Sequence, residues 1–73
     1  MLEKELISSL EDNGIYVNKS DFNAELEMDS IQYVSLIVEL EERFHITVPD
    51  EYLGHEIPNT VNSFIKMIKK LMK

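Results

Sequence analysis

The chain has 73 residues, with 14 acidic and seven basic side chains, a net charge of −7 and no cysteine. This length holds one small domain, and a domain of this size buries only about 60% of its unfolded surface. The absence of cysteine excludes disulfides and thiolate metal sites, and no segment approaches the roughly 20 apolar residues of a membrane span. The opening stretch MLEKELISSL mixes charge with apolar residues and has neither a basic n-region nor a continuous apolar run. It does not read as a signal peptide, and the expectation is a soluble cytoplasmic domain, residues 1–73.

The charge is unevenly placed. Residues 1–59 hold all 14 acids against Lys4, Lys19 and Arg43, a net −11, whereas residues 60–73 hold Lys66, Lys69, Lys70 and Lys73 and no acid, a net +4. An acidic body repels nucleic acid and anionic membranes and attracts basic protein surfaces, although net charge also simply keeps a small protein soluble.

The first predicted helix covers residues 2–12, where Leu2, Leu6, Ile7 and Leu10 recur at helical spacing. Asp12, Asn13 and Gly14 stop it, with Gly14 suited to a left-handed cap. Residues 13–29 form a long connection with apolar anchors at Ile15, Val17, Phe22, Leu26 and Met28. Loops of that length in small domains are often functional. The second helix spans residues 30–43. Pro49 favours an extended Val48, and Asp50 and Glu51 open a short helical turn over residues 50–54 that Gly54 closes. The last helix spans residues 60–72, capped by Asn59 or Thr60, with a buried stripe of Val61, Phe64, Ile65, Ile68 and Leu71 opposed by the lysines. No alternating run argues for a sheet. The expected fold is all-α, three main helices and one short one, whose apolar stripes must pack on one another because helices this short are marginal alone.

The second helix carries two apolar faces. At about 100° per residue, Tyr33, Leu36, Ile37, Leu40 and Phe44 share one arc, a normal core stripe. Ile31, Val34 and Val38 fall opposite, among Ser35, Glu41 and Glu42. Either the 15–29 loop covers this second stripe, or it is a docking face with an apolar centre and an acidic rim, suited to an apolar partner patch ringed by Arg or Lys.

Catalytic constellations are missing. His45 and His55 have no ligand at metal-binding spacing, and Gly14 and Gly54 form no phosphate loop. A calcium loop centred on Gly14 would need Asp and Glu where Ser9 and Ser20 stand. Ser30 remains. As a helix cap it is interchangeable with Asp29. No base suggests that it is itself a nucleophile. An exposed serine at a helix N-terminus nevertheless suits modification by another enzyme, because free N–H groups and the helix dipole stabilise an attached phosphate.

Residues 28–53, MDSIQYVSLIVELEERFHITVPDEYL, resemble the acyl carrier and peptidyl carrier proteins. The shared pattern is Asp-Ser and an apolar residue, an amphipathic helix ending in Glu-Glu-x-Phe, then a β-branched residue followed by Pro-Asp-Glu. The resemblance implies a small four-helix bundle with a short third helix. It also implies that Ser30 carries a covalent 4′-phosphopantetheine arm from coenzyme A, added by a phosphopantetheinyl transferase, with Asp29 helping to hold Mg²⁺ in the transferase complex. The second helix would be the recognition helix, through Ile31, Val34, Ser35, Val38, Glu41 and Glu42. Glu27 stands where the family usually has Gly, Ile31 where Leu is common, and the last helix is basic.

The expected function is therefore a stand-alone, non-catalytic and monomeric carrier with no intrinsic metal. It holds acyl or aminoacyl intermediates as thioesters for fatty-acid, polyketide or nonribosomal-peptide synthesis, a D-alanyl carrier ranking below these. Its partners are the transferase, a loading enzyme and downstream synthases with basic docking patches, and neither nucleic acid nor membrane is expected. The alternative is an unmodified helical interaction module of the same fold, binding a basic partner through the acidic second helix.

Overall fold

The computed structural model describes residues 2–54 and 57–72. Among them are four helices and no strand: α1 (Leu2–Asp12), α2 (Ser30–Phe44), α3 (Glu51–Gly54) and α4 (Val61–Leu71). The all-helical bundle is the expected fold. Helix α1 has the expected bounds, and ends of α2, α3 and α4 shift by a residue. Helix α2 continues through Phe44 because His45 takes the left-handed conformation, φ 55° and ψ 48°, that terminates it. Thr60, rather than Asn59, caps α4, its hydroxyl accepting the Ser63 N–H at 3.0 Å. Gly14 has φ +76°, as its position after α1 requires. His55 lies outside the described residues.

Helix α1 packs against both α2 and α4. Leu6 and Leu10 from α1, Leu36 and Leu40 from α2, and Phe64 and Ile68 from α4 are all fully buried. Ile46, Val48 and Tyr52 close the core beneath α3, and Met67, outside the expected α4 stripe, is buried as well. The Glu41 carboxylate accepts the Val48 N–H at 2.8 Å, so the segment after α2 is bound back onto the helix it leaves.

The long loop is ordered by polar contacts as well as by its anchors. Ile15, Val17 and Leu26 are buried, and Phe22 and Met28 are partly buried against the core. Asn18 and Asp21 each accept a backbone N–H two residues on, at 3.0 Å, forming successive side-chain-closed turns. The Leu26 N–H donates to the Asn59 carbonyl at 2.7 Å, and the Asn62 N–H donates to the Phe22 carbonyl at 3.2 Å. These bonds hold the loop against the start of α4 and fix where it delivers the chain to α2.

Among the described residues, one buried side-chain polar atom has no partner: the Ser9 hydroxyl, on a residue with no exposed surface. Such a group costs about 1–3 kcal/mol relative to a satisfied one, and alanine is also the better helix former. Ser9→Ala is expected to raise the unfolding free energy by about 1 kcal/mol in urea denaturation. A decrease would show that the hydroxyl holds a hydrogen bond after all.

Candidate functional site

The N-terminus of α2 is built from a reciprocal pair. The Asp29 carboxylate accepts the Gln32 N–H at 2.7 Å, and the Gln32 side-chain oxygen accepts the Asp29 N–H at 3.0 Å, a capping box. Asp29 is therefore the cap, and Ser30 is the first helical residue. Its side chain is exposed, and it engages no other described residue. The N–H groups of Ser30 and Ile31 point out of the helix end without a described partner, as the first N–H groups of a helix do.

Gln32 does more than close the cap. Its amide nitrogen donates to the Asn13 carbonyl at 3.2 Å and lies 3.4 Å from the Gly14 carbonyl. The end of α1 is thereby tied to the first turn of α2. Asn13 reinforces the junction, its side chain donating to the Ser9 carbonyl at 2.8 Å and to the Glu39 carboxylate at 3.1 Å. The sequence reading did not single out Gln32, although the Asp-Ser-Ile-Gln spacing is the capping-box signature.

An apolar groove of about 370 Å³ runs from Ser30 along Met28, Tyr33, Val34, Leu53 and Ile57. Tyr33 forms its floor. Its ring is buried and lies 6.2 Å, centroid to centroid, from that of Phe64, and its hydroxyl donates to the Tyr52 carbonyl at 2.6 Å. Burial pushes the Tyr33 phenol up to about 12.

The second face of α2 is open. Ile31, Val34 and Val38 are 78%, 53% and 49% exposed, so the 15–29 loop does not cover them. Ser35 and Glu42 are exposed beside them. Glu41 departs from the expected set: it is only half-exposed, and its carboxylate is turned to the Val48 N–H, so it acts in the fold and adds only charge to the rim. Asp29, expected to serve a metal in a partner complex, has one carboxylate oxygen in the cap. Among the described residues, no cluster of His, Cys, Asp and Glu could hold a metal ion.

A family model described as a phosphopantetheine attachment site matches residues 4–68. The chain belongs to that family. It is 43% identical over 63 residues to a D-alanyl carrier protein of Streptococcus suis, covering 86% of this chain and 78% of that protein. It is 40% identical over 62 residues to a D-alanyl carrier protein of Streptococcus mutans, 85% of this chain and 77% of that one. It is 39% identical over 44 residues to an acyl carrier protein of Kocuria rhizophila, 60% of this chain and 53% of that one. No solved structure gives a significant match. The protein is thus a carrier protein whose prosthetic group is covalent 4′-phosphopantetheine. Its residues fit such a group, since a free hydroxyl stands at an open helix N-terminus beside an apolar groove. No described helix is long and apolar enough to cross a membrane.

The raised Tyr33 phenol has a consequence for stability. In the unfolded chain a tyrosine loses its proton near pH 10, but the folded chain keeps this one until about 12. Between those values the unfolded state binds fewer protons than the native state, so stability falls as pH rises through that window. Denaturation of the wild type and Tyr33→Phe across pH 9 to 12 is expected to show a steeper alkaline loss in the wild type. Equal slopes would mean that the phenolate is accommodated.

Proposed function

We propose that Ser30 is the attachment residue and that this chain carries a small aminoacyl group, D-alanyl in the first instance, as a thioester on the attached arm. The observation that supports Ser30 is the division of labour at the helix end: Asp29 caps, which leaves the neighbouring hydroxyl exposed. A plain cap would have its oxygen engaged with the helix. Free N–H groups at the helix start offer favourable partners for the negative phosphodiester that attachment creates. The other carboxylate oxygen of Asp29 is open for Mg²⁺ in the transferase complex. When bound, the arm supplies a terminal thiol for thioester chemistry. The chain's own residues orient Ser30, hold the helix start and present the docking face.

The D-alanyl reading is supported by the names of two relatives that align with 86% and 85% of this chain. It takes precedence over the fatty-acid, polyketide and nonribosomal-peptide cargoes that the motif alone favours. An acyl cargo is the second reading, supported by the similarity to an acyl carrier protein and by the apolar groove beside Ser30. In either case the chain acts as a monomeric cytoplasmic shuttle rather than as an enzyme. Tethering raises the effective concentration of the cargo at each partner, and repeated delivery calls for small, transient interfaces with charged rims.

Intact mass spectrometry tests attachment and cargo together. With coenzyme A, Mg²⁺ and a broad-specificity phosphopantetheinyl transferase, the wild type is expected to gain one phosphopantetheine and Ser30→Ala none. Adding ATP, D-alanine and a D-alanine-activating ligase should then add one alanyl group to the modified form only. Equal modification of Ser30→Ala would remove Ser30 from the site. A modified carrier that refuses D-alanine but accepts an acyl group would establish the second reading.

The exposed stripe generates a separate expectation. Val38→Asp should impair turnover by the transferase and the ligase while leaving the thermal unfolding midpoint within about 4 °C, since exposed substitutions shift stability by about 0.5 kcal/mol or less. Loss of the fold would show that the stripe is part of the core.

A further inference from the structure

The loop carries the most exposed large apolar side chain of the described residues. Tyr16 is 81% exposed, between Ile15 at 1% and Val17 at 3%. Its backbone is therefore fixed by two buried neighbours while its ring stands in solvent. Tyr16 lines a cleft of about 280 Å³ with Asn18, Ala24, Glu25, Leu26 and Glu27. The wall is acidic. Glu27 is exposed and has no described partner. The Glu25 carboxylate accepts a hydrogen bond from the Asn59 side-chain amide at 3.0 Å rather than pairing with a cation. Lys19, the cation of the same loop, is drawn away to Glu11 at 3.2 Å. Glu27 stands three positions before Ser30.

We propose that this cleft receives an arginine or lysine side chain of the transferase that modifies Ser30. The proposal rests on the reading of Ser30 as the attachment residue and extends the docking face from α2 onto the loop. Charge complementarity selects the occupant: a cleft lined by an exposed tyrosine and two glutamates, with no cation in the lining, suits a cationic side chain. Position selects the enzyme. The transferase must bring its reacting groups to the Ser30 hydroxyl itself, and so must lie over residues adjoining Glu27. Later enzymes meet a long arm and need not approach so closely. Its Leu26 wall is fixed by the bond from the Leu26 N–H to the Asn59 carbonyl at 2.7 Å.

The test is steady-state kinetics of Ser30 modification by the phosphopantetheinyl transferase of the same organism. Tyr16→Ala, Tyr16→Leu, Tyr16→Phe and Glu27→Gln are compared with Val38→Asp, each checked for an unchanged unfolding curve. Tyr16→Ala, Tyr16→Leu and Glu27→Gln are each expected to raise KM about two- to fivefold with kcat unchanged, the size of an exposed cation–aromatic contact. Tyr16→Phe, which keeps the aromatic face, should match the wild type. The Glu27→Gln effect should shrink at high salt. Wild-type KM in Tyr16→Ala and Glu27→Gln, with Val38→Asp impaired, would overturn the cleft and leave the α2 face standing. Rescue by Tyr16→Leu would overturn the cationic occupant in favour of an apolar contact. Wild-type behaviour of Val38→Asp as well would defeat the docking reading as a whole, and modification of Ser30→Ala would defeat the attachment reading.

Discussion

The structure depends on the exchange of hydrogen bonds between Asp29 and Gln32. Each bond satisfies a group that the start of a helix would otherwise leave open. The Gln32 amide then reaches across to the carbonyls at the end of α1, so one side chain joins cap, loop and neighbouring helix. The arrangement also explains why Ser30 is available. With an aspartate as cap, the next residue is helical but its hydroxyl has no structural duty. A serine cap would bind its own helix and withdraw its oxygen from any other chemistry.

Helix α2 has to serve two purposes in a domain with little core to spare. Its inner stripe meets α1 and α4 and is almost completely buried. Its outer stripe leaves Ile31, Val34 and Val38 largely or half exposed, so folding rests mainly on the inner stripe. The helix is anchored at both ends by side chains reaching into the adjoining chain, Gln32 at the start and Glu41 near the finish. A helix fixed in this way can present a face to a partner without being rearranged by it, in keeping with a carrier that must be recognised repeatedly.

The long loop is better regarded as part of the site than as a connection. Its backbone bonds to Asn59 and from Asn62 place it on the start of α4, and its buried anchors leave Tyr16 outward. Electrostatics act in the same direction. Asp29 and Glu27 adjoin the serine and Glu39, Glu41 and Glu42 lie toward the far end of α2, whereas the described lysines of α4 lie on a different helix, so the molecule offers a basic partner one favourable side.

Helix order, the two faces of α2, the exposed serine and the family likeness were legible in the sequence, because each follows from local rules. Apolar periodicity is set by 3.6 residues per turn, and the Asp-Ser start with its Pro-Asp-Glu tail is contiguous. Asp29 as the cap is local too, since Gln32 stands three residues after it and only Tyr33 three after Ser30; tertiary structure alone decided that the Gln32 amide reaches Asn13. It also decided that Glu41 turns back to Val48, that Met67 joins the core, that Ser9 is buried without a partner and that Tyr16 meets Glu27 in one cleft. These facts depend on residues brought together across the bundle. A pattern along one helix specifies which face is apolar, but which atoms that face meets is settled only when the other helices are in place.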